Sequence, residues 1–471
     1  MLSPEKSRTS VVVKDAPESP EAETLRDGIV ENSVNAEPPQ DPPAPPPSAE
    51  EHALDASIAA SSIRGKVGYF FMYAAFSVSP YYGLLLQHKG FAPMAVGTVV
   101  AFMPLSVLVI LSPLSYLADR YHCSMKIHMC GAVGSALLIS FVVPTSSHVL
   151  LGFLLVLHFV FRTPVGPFMD QRTMSILPPD RKIEWGPMRS YGAYGWAFGA
   201  LLISVLIGWS DWWGLALMYV VGMTIAMYVA FTIVPHDEPE YAQKNYLQVL
   251  RYVLSHRRLF TFLSALCCMG MGYTLISTFL FVFLDTINAP TILLGLSVVM
   301  TVVVEIPLFQ CSKYIHEHYT DRQLLSVSFF AWSVRVTGYS FLYNPWLVLF
   351  LEPLHGFTFG LMWLSGMHFV RHAFPKSLSH SSIGFLSATA FGIGPVMGNL
   401  VGGTLYQHLG ARGMFRLMAL FMLCIGVVFL LIDRYLERHG YRVEAEEEEK
   451  VTAVEVMVES PAPVTADDAR E

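Results

Sequence analysis

The sequence predicts an all-α membrane protein with twelve transmembrane helices in two bundles of six. Three observations predict it. The 471-residue chain is 53% hydrophobic and only 14% charged, with a mean hydropathy of +0.46, whereas a soluble protein is about 25% charged. The apolar residues come in blocks of the roughly 20 residues that a helix needs to cross a bilayer. One polar stretch, VPHDEPEYAQKNYLQVLRYVLSHRR, divides these blocks into six and six. The net charge of −7 sits largely in the tails and argues against nucleic acid as a partner.

Residues 1–62 are rich in Pro, Glu, Ser and Ala and include PPQDPPAPPP. Such a composition buries no core, so this stretch is expected to be a disordered cytoplasmic tail. It contains no apolar signal-peptide core, which leaves the first helix, from about Val67, as the insertion signal. Six spans over residues 63–234 centre near Phe76, Val107, Ala136, Phe159, Ala200 and Met223. A cytoplasmic loop follows at 235–257. Six more spans over 258–436 centre near Gly272, Met300, Trp332, Gly360, Phe391 and Phe421. The Pro and Gly inside them are tolerated where neighbouring helices satisfy the freed backbone groups. Residues 437–471, with EAEEEE, read as an acidic, disordered cytoplasmic tail.

Orientation follows from Lys and Arg in the short loops. Loops after even-numbered spans hold fourteen, from Arg120 and Lys126 to Arg371 and Lys376; the opposite loops hold Lys89, Arg412 and Arg416. Both termini are therefore expected in the cytoplasm.

Four ionisable residues lie deep within spans eight to ten. Glu305 interrupts LSVVMTVVVEIPLF, Arg335 interrupts SVSFFAWSVRVTGYSFL, and Glu352 and His355 share WLVLFLEPLHGFTFGLMW. A charge near the bilayer centre costs at least a few kcal/mol and faces a partner or a wet cavity. Complementary charges on three successive spans read as a buried cluster on a proton or substrate path. Glu352 and His355, three apart, share one helical face and can modulate each other's proton affinity. A static pair of Glu305 with Arg335, and a packed His355, are the plainer readings. Arg162, in HFVFRTPVGPF, either pairs quietly or attracts an anionic group of a solute. His158 and His368 read as packing. Tyr69, Tyr73, Phe76, Tyr81 and Tyr82 form either a cavity wall or an interface belt.

The six cysteines fall in apolar spans or expected cytoplasmic turns, with neither a disulfide pattern nor a zinc spacing. No G-x-x-x-x-G-K-[ST] nucleotide loop occurs. No cofactor or metal is expected, and no nucleophile–base pair points to an enzyme.

Twelve spans in six-plus-six form, with SYLADRYHCSMK after span two, resemble the major facilitator superfamily and its G-x-L-A-D-R-x-G-R/K signature. Ser115 and His122 stand where that signature has glycine. Asp119 and Arg120 match the acidic and basic positions that, in the family, latch the two halves together. Within the superfamily, segments in three regions resemble the lactose-permease-like and nucleoside–proton-symporter-like branch, in its eukaryotic division. These are YFFMYAAFSVSPYYGLLLQHKGF, the pair PVGPFMD and MRSYGAYGWAFGALL, and the pair SVRVTG and LEPLHGF. The resemblance implies substrate contact by Arg189, with Asp170 near the fourth-helix acids. It also implies proton coupling by Arg335 and His355, with Glu305 about one turn from the eighth-helix acid. Trp196 matches the tryptophan that follows the fifth-helix arginine. The departures are Thr358 in place of a proton-carrying glutamate, Glu352 in place of a lysine, and Thr274 and Ser277 in place of two aspartates.

The expected function is secondary active transport of a small polar solute (sugar, nucleoside or organic anion), coupled to protons by alternating access. Glu305, Arg335, Glu352 and His355 are the expected coupling residues. Glu352 is the favoured carrier, and Glu305 the second choice as Arg335's structural partner. Asp170, Arg189 and Arg162 are expected at the substrate, and Asp119 and Arg120 at the gate. A passive facilitator of the same fold and a non-transporting membrane sensor or scaffold are the alternatives. The membrane could be the plasma membrane or an endomembrane.

Overall fold

A computed structural model describes residues 49–233, 246–374 and 379–439. The chain divides at residue 55, and the membrane bundle belongs to the unit from Ala56 onward. The acidic run near 444–449 lies outside the described residues.

Nine helical stretches among the described residues are long and apolar enough to cross a membrane. The last runs from Ser382 to Arg438. It turns back at Gly410, whose φ of +68° is open to glycine at little cost, so it supplies spans eleven and twelve. Two further helical spans are less apolar. Span nine, Asp321–Ser340, carries Arg335 and several serines. Span one is made of Ala49–Phe76 and Tyr81–His88, separated by a turn that ends at Pro80. All twelve expected centres fall on these helices.

Two boundaries differ from expectation. The first helix begins at Ala49, inside the stretch expected to be tail, because AEEHALDASIAASS is dense in good helix formers. The expected central loop contains a helix, Tyr246–Ser255, with Val249 and Val253 one turn apart and buried; residues 234–245 are outside the described residues.

The two halves meet near one end of the bundle. There the rings of Tyr81 and Phe281 pack edge-on at 4.9 Å, His88 Nε2 lies 3.2 Å from Asp285 Oδ2, and the Met94 amide donates to Gln407 Oε1 at 3.2 Å. At the same end Lys89 and Arg412, two of the three basic residues counted on that side, donate to the carbonyls of Val143 and Leu342, each at 2.7 Å. At the other end, a network of Arg258 and Arg322 with Asp433 (3.2 and 3.1 Å) joins spans seven, nine and twelve. Arg322 also binds Glu437.

Candidate functional site

Between the halves lies a cavity of about 690 Å³, its open mouth included. Pro80 and Trp196 line it from the first half, and Tyr273, Ser277, Trp332, Arg335, Glu352, His355 and Thr358 from the second. Span ten is locally wound as a π-helix over Gly356–Gly360, directly after His355. Such a turn adds a residue to the helix and recurs at functional sites. Here it carries Thr358 and Phe359 on the cavity wall.

The four second-half residues form one chain of contacts. Arg335 Nη2 donates to Glu352 Oε2 at 2.6 Å. Arg335 Nε donates to Tyr339 Oη at 2.5 Å, and that hydroxyl donates on to Glu352 Oε1 at 2.6 Å. Arg335 Nη1 reaches Thr358 Oγ1 at 3.3 Å and His355 Nδ1 at 3.0 Å. A guanidinium has no lone pair, so His355 Nδ1 must accept, which puts the imidazole proton on Nε2. That nitrogen faces Glu305 Oε2 at 3.7 Å, beyond hydrogen-bond length.

The expected pairing of Arg335 with Glu305 is thereby corrected: the arginine's carboxylate partner is Glu352. The reason is geometric. Tyr339, one turn after Arg335 on the same face of span nine, fixes the guanidinium toward span ten, and His355 stands between it and span eight. Tyr339 escaped the sequence reading, although its i+4 spacing from Arg335 is the signal that could have found it.

The first half holds a second cluster. Arg189 Nε donates to Asp170 Oδ1 at 3.2 Å and Nη2 to Tyr73 Oη at 3.1 Å. Tyr69 Oη donates to the same carboxylate oxygen at 2.7 Å and lies 2.7 Å from Thr173 Oγ1. Trp185 Nε1 donates to Tyr69 Oη and Thr173 Oγ1, each at 3.1 Å. Arg162 stands apart from this cluster. Its guanidinium lies 4.0 Å above the Phe76 ring and donates to Ser79 Oγ at 3.1 Å, while its Nε is buried without a partner. No acidic partner of Arg162 is found among the described residues. The aromatics of span one face inward: Tyr69, Phe76, Tyr81 and Tyr82 are buried, which makes them an inner wall and not an interface belt. His158 is buried and held by Tyr82 Oη at 2.7 Å and by the Ser135 carbonyl at 2.9 Å.

The R-x-[WFY]-G-x-x-G-W segment has a packing reason. A Cβ at Gly195 would stand 2.0 Å from the Phe70 carbonyl oxygen, so only glycine lets span five lie against span one. At the expected gate, Arg120 is exposed and the side chain of Asp119 lies outside the described residues. His122, in place of the signature's second glycine, adopts the left-handed conformation (φ +47°, ψ +43°) that a glycine would favour.

The fold is that of solved transporters. A mutant of the nucleoside transporter NupG aligns over 79% of this chain and 99% of its own, with a TM-score of 0.70 at 12% identity. The POT family transporter PepTSo aligns over 81% and 98%, at 0.63 and 14%. An inward-facing, occupied bacterial homologue of the human lysosomal transporter Spinster aligns over 81% and 97%, at 0.61 and 10%. In sequence, major facilitator superfamily domain-containing protein 6-like protein A of Xenopus laevis is 23% identical over 155 residues; the match spans 26% of that protein's length and 33% of this chain. The MFS_1 like family matches residues 62–417, well over half of the chain. This multi-pass membrane protein, not an enzyme, therefore belongs to the MFS_1 like family of the major facilitator superfamily.

Proposed function

We propose that this protein is a proton-coupled symporter of a small polar solute, working by alternating access, with both termini in the cytoplasm. The observation that carries the reading is the contact chain Glu305–His355–Arg335–Glu352, which ends on a cavity between the halves. Carriers of this kind bind near the midplane, between their repeats. Glu352 has both oxygens occupied by donors, whereas Glu305 has one imidazole at 3.7 Å. Glu305 is therefore the group freer to take and release a proton, with His355 passing the change to Arg335. Glu352 and Tyr339 anchor that arginine.

The cavity favours a polar solute, because Ser277, Arg335, Glu352, His355 and Thr358 line it. Arg162 donates to Ser79, the chain neighbour of the cavity-lining Pro80, and no acidic partner of it is found among the described residues. Among sugar, nucleoside and organic anion, this uncompensated cation favours a solute with an acidic group. The names of the solved relatives, which include a nucleoside transporter and peptide transporters, fit a small-solute substrate in general.

The test is uptake into proteoliposomes under an imposed pH gradient, with one representative of each solute class. The expected result is accumulation above equilibrium that a protonophore abolishes. Equilibration without accumulation would establish the passive facilitator instead. Absence of flux for all three classes would favour the sensor or scaffold.

A further inference from the structure

Two residues five apart, His316 and Asp321, meet the remote His368 at the end of the second half that carries Arg322 and Arg371. His316 lies on the short helix Ser312–His318 between spans eight and nine. Asp321 opens span nine, and His368 lies near the end of span ten. His368 Nδ1 is 2.9 Å from Asp321 Oδ2, and His316 Nδ1 is 3.7 Å from Asp321 Oδ1. The two imidazoles stack at 4.1 Å with their planes 17° apart. One ligand-capable atom from each residue can be chosen so that all three lie within 4.8 Å of one another. Donors around a tetrahedral zinc ion, with bonds of about 2.1 Å, stand about 3.4 Å apart. The observed separations straddle that value, so small rotations of the side chains would close the site.

A second observation points to a ligand. His316 Nδ1 and Asp321 Oδ1 are buried and have no hydrogen-bond partner among the described residues. Buried polar atoms are ordinarily satisfied, and an orphaned pair facing each other asks for a shared partner. His372, one turn beyond His368, stacks on it at 4.2 Å. Its Nδ1 is held by the His368 carbonyl at 2.8 Å, which leaves Nε2 for a fourth position that water could equally fill.

We propose that His316, Asp321 and His368 form a binding site for a divalent transition-metal ion of the zinc class. Two imidazoles and one carboxylate are a borderline donor set that suits zinc; magnesium and calcium prefer oxygen. The ion would tie the linker between spans eight and nine to the start of span nine and the end of span ten. The site is separate from the transport cavity, since thirteen residues of helix, roughly 20 Å, separate His368 from His355. The expectation from sequence that no metal is bound rested on local spacing, and these ligands come from three segments.

The experiment uses the purified, tag-free full-length chain and Co²⁺ as a visible probe for Zn²⁺. One equivalent should bind with the intense absorption of a four-coordinate centre, and Zn²⁺ but not Mg²⁺ should displace it. Groups that merely support metal ligands are worth about 10–100-fold in affinity, so His316→Gln and His368→Asn should each weaken binding by at least about tenfold. A weak six-coordinate spectrum, or unchanged affinity in both variants, would overturn the proposal. A measurement on the unaltered chain guards against misfolded variants. Zn²⁺ should protect His316 and His368, but not exposed His148 or His439, from diethylpyrocarbonate modification read by mass spectrometry. Equal modification of all four with and without Zn²⁺ would equally overturn it.

Discussion

Arg335 and Glu352 face each other at 2.6 Å with both side chains 3% exposed. Tyr339 closes the ring by bonding to both. Removing one member of a buried pair strands the other charge, at a cost of about 3–5 kcal/mol. Glu352→Gln should therefore lower the melting temperature in detergent and reduce the folded fraction on size exclusion. Glu352→Gln combined with Arg335→Gln should recover part of the loss, because no net charge is left buried. If Glu352→Gln alone melts like the wild type, the pair is not an anchor.

Glu305 is expected to behave differently. It is 17% exposed and has no guanidinium against it, so Glu305→Gln removes a charge without stranding another. Folded yield should be close to wild type. Uphill uptake driven by a pH gradient should vanish, while exchange of labelled for unlabelled solute, which needs no net proton movement, should continue. Accumulation against a gradient by Glu305→Gln would return the carrier role to Glu352.

Much of this arrangement is legible in the chain. A charge inside a block such as LSVVMTVVVEIPLF is so costly in lipid that it implies a partner, and so Glu305, Arg335, Glu352 and His355 could be grouped from sequence. Their pairing could not, because which carboxylate meets Arg335 depends on helix rotation and on Tyr339. The spans themselves are fixed by block length. The start of the first helix was misplaced because helix propensity in AEEHALDASIAASS outweighs its polarity. The His316–Asp321–His368 cluster was illegible for another reason. His316 and Asp321 are five residues apart, but His368 joins them only once span ten packs against span nine.

In the first half, Arg189 uses two different nitrogens on two partners, Nε on Asp170 and Nη2 on Tyr73. Lysine keeps the charge and loses the planar fork that spans both. Arg189→Lys should fold with near-normal yield, because the side chain is 43% exposed. Its initial uptake rate per folded molecule should fall about tenfold, a loss of roughly 1.4 kcal/mol. A rate within about twofold of wild type would place substrate contact elsewhere.

The fifth-span glycines give a prediction that separates recognition from packing. At Gly195 the obstacle to a Cβ is backbone, the Phe70 carbonyl oxygen at 2.0 Å, and at Gly199 it is the Ala74 carbonyl oxygen at 2.4 Å. A backbone oxygen cannot swing aside as the end of a side chain can, so Gly195→Ala must push span five from span one. Overpacking of this kind costs about 1–3 kcal/mol, and Gly195→Leu should cost more. Gly186 is the internal control. It lies on the short helix Trp185–Arg189 just before the same span, and nothing stands within 4 Å of its would-be Cβ. Gly186→Ala should therefore change stability by no more than about 0.5 kcal/mol. Thermal unfolding of the three variants in one detergent decides the matter. The order expected is Gly186→Ala near wild type, then Gly195→Ala, then Gly195→Leu least stable. If Gly195→Ala melts with the control but loses transport, the motif serves the solute directly and not the approach of the two helices.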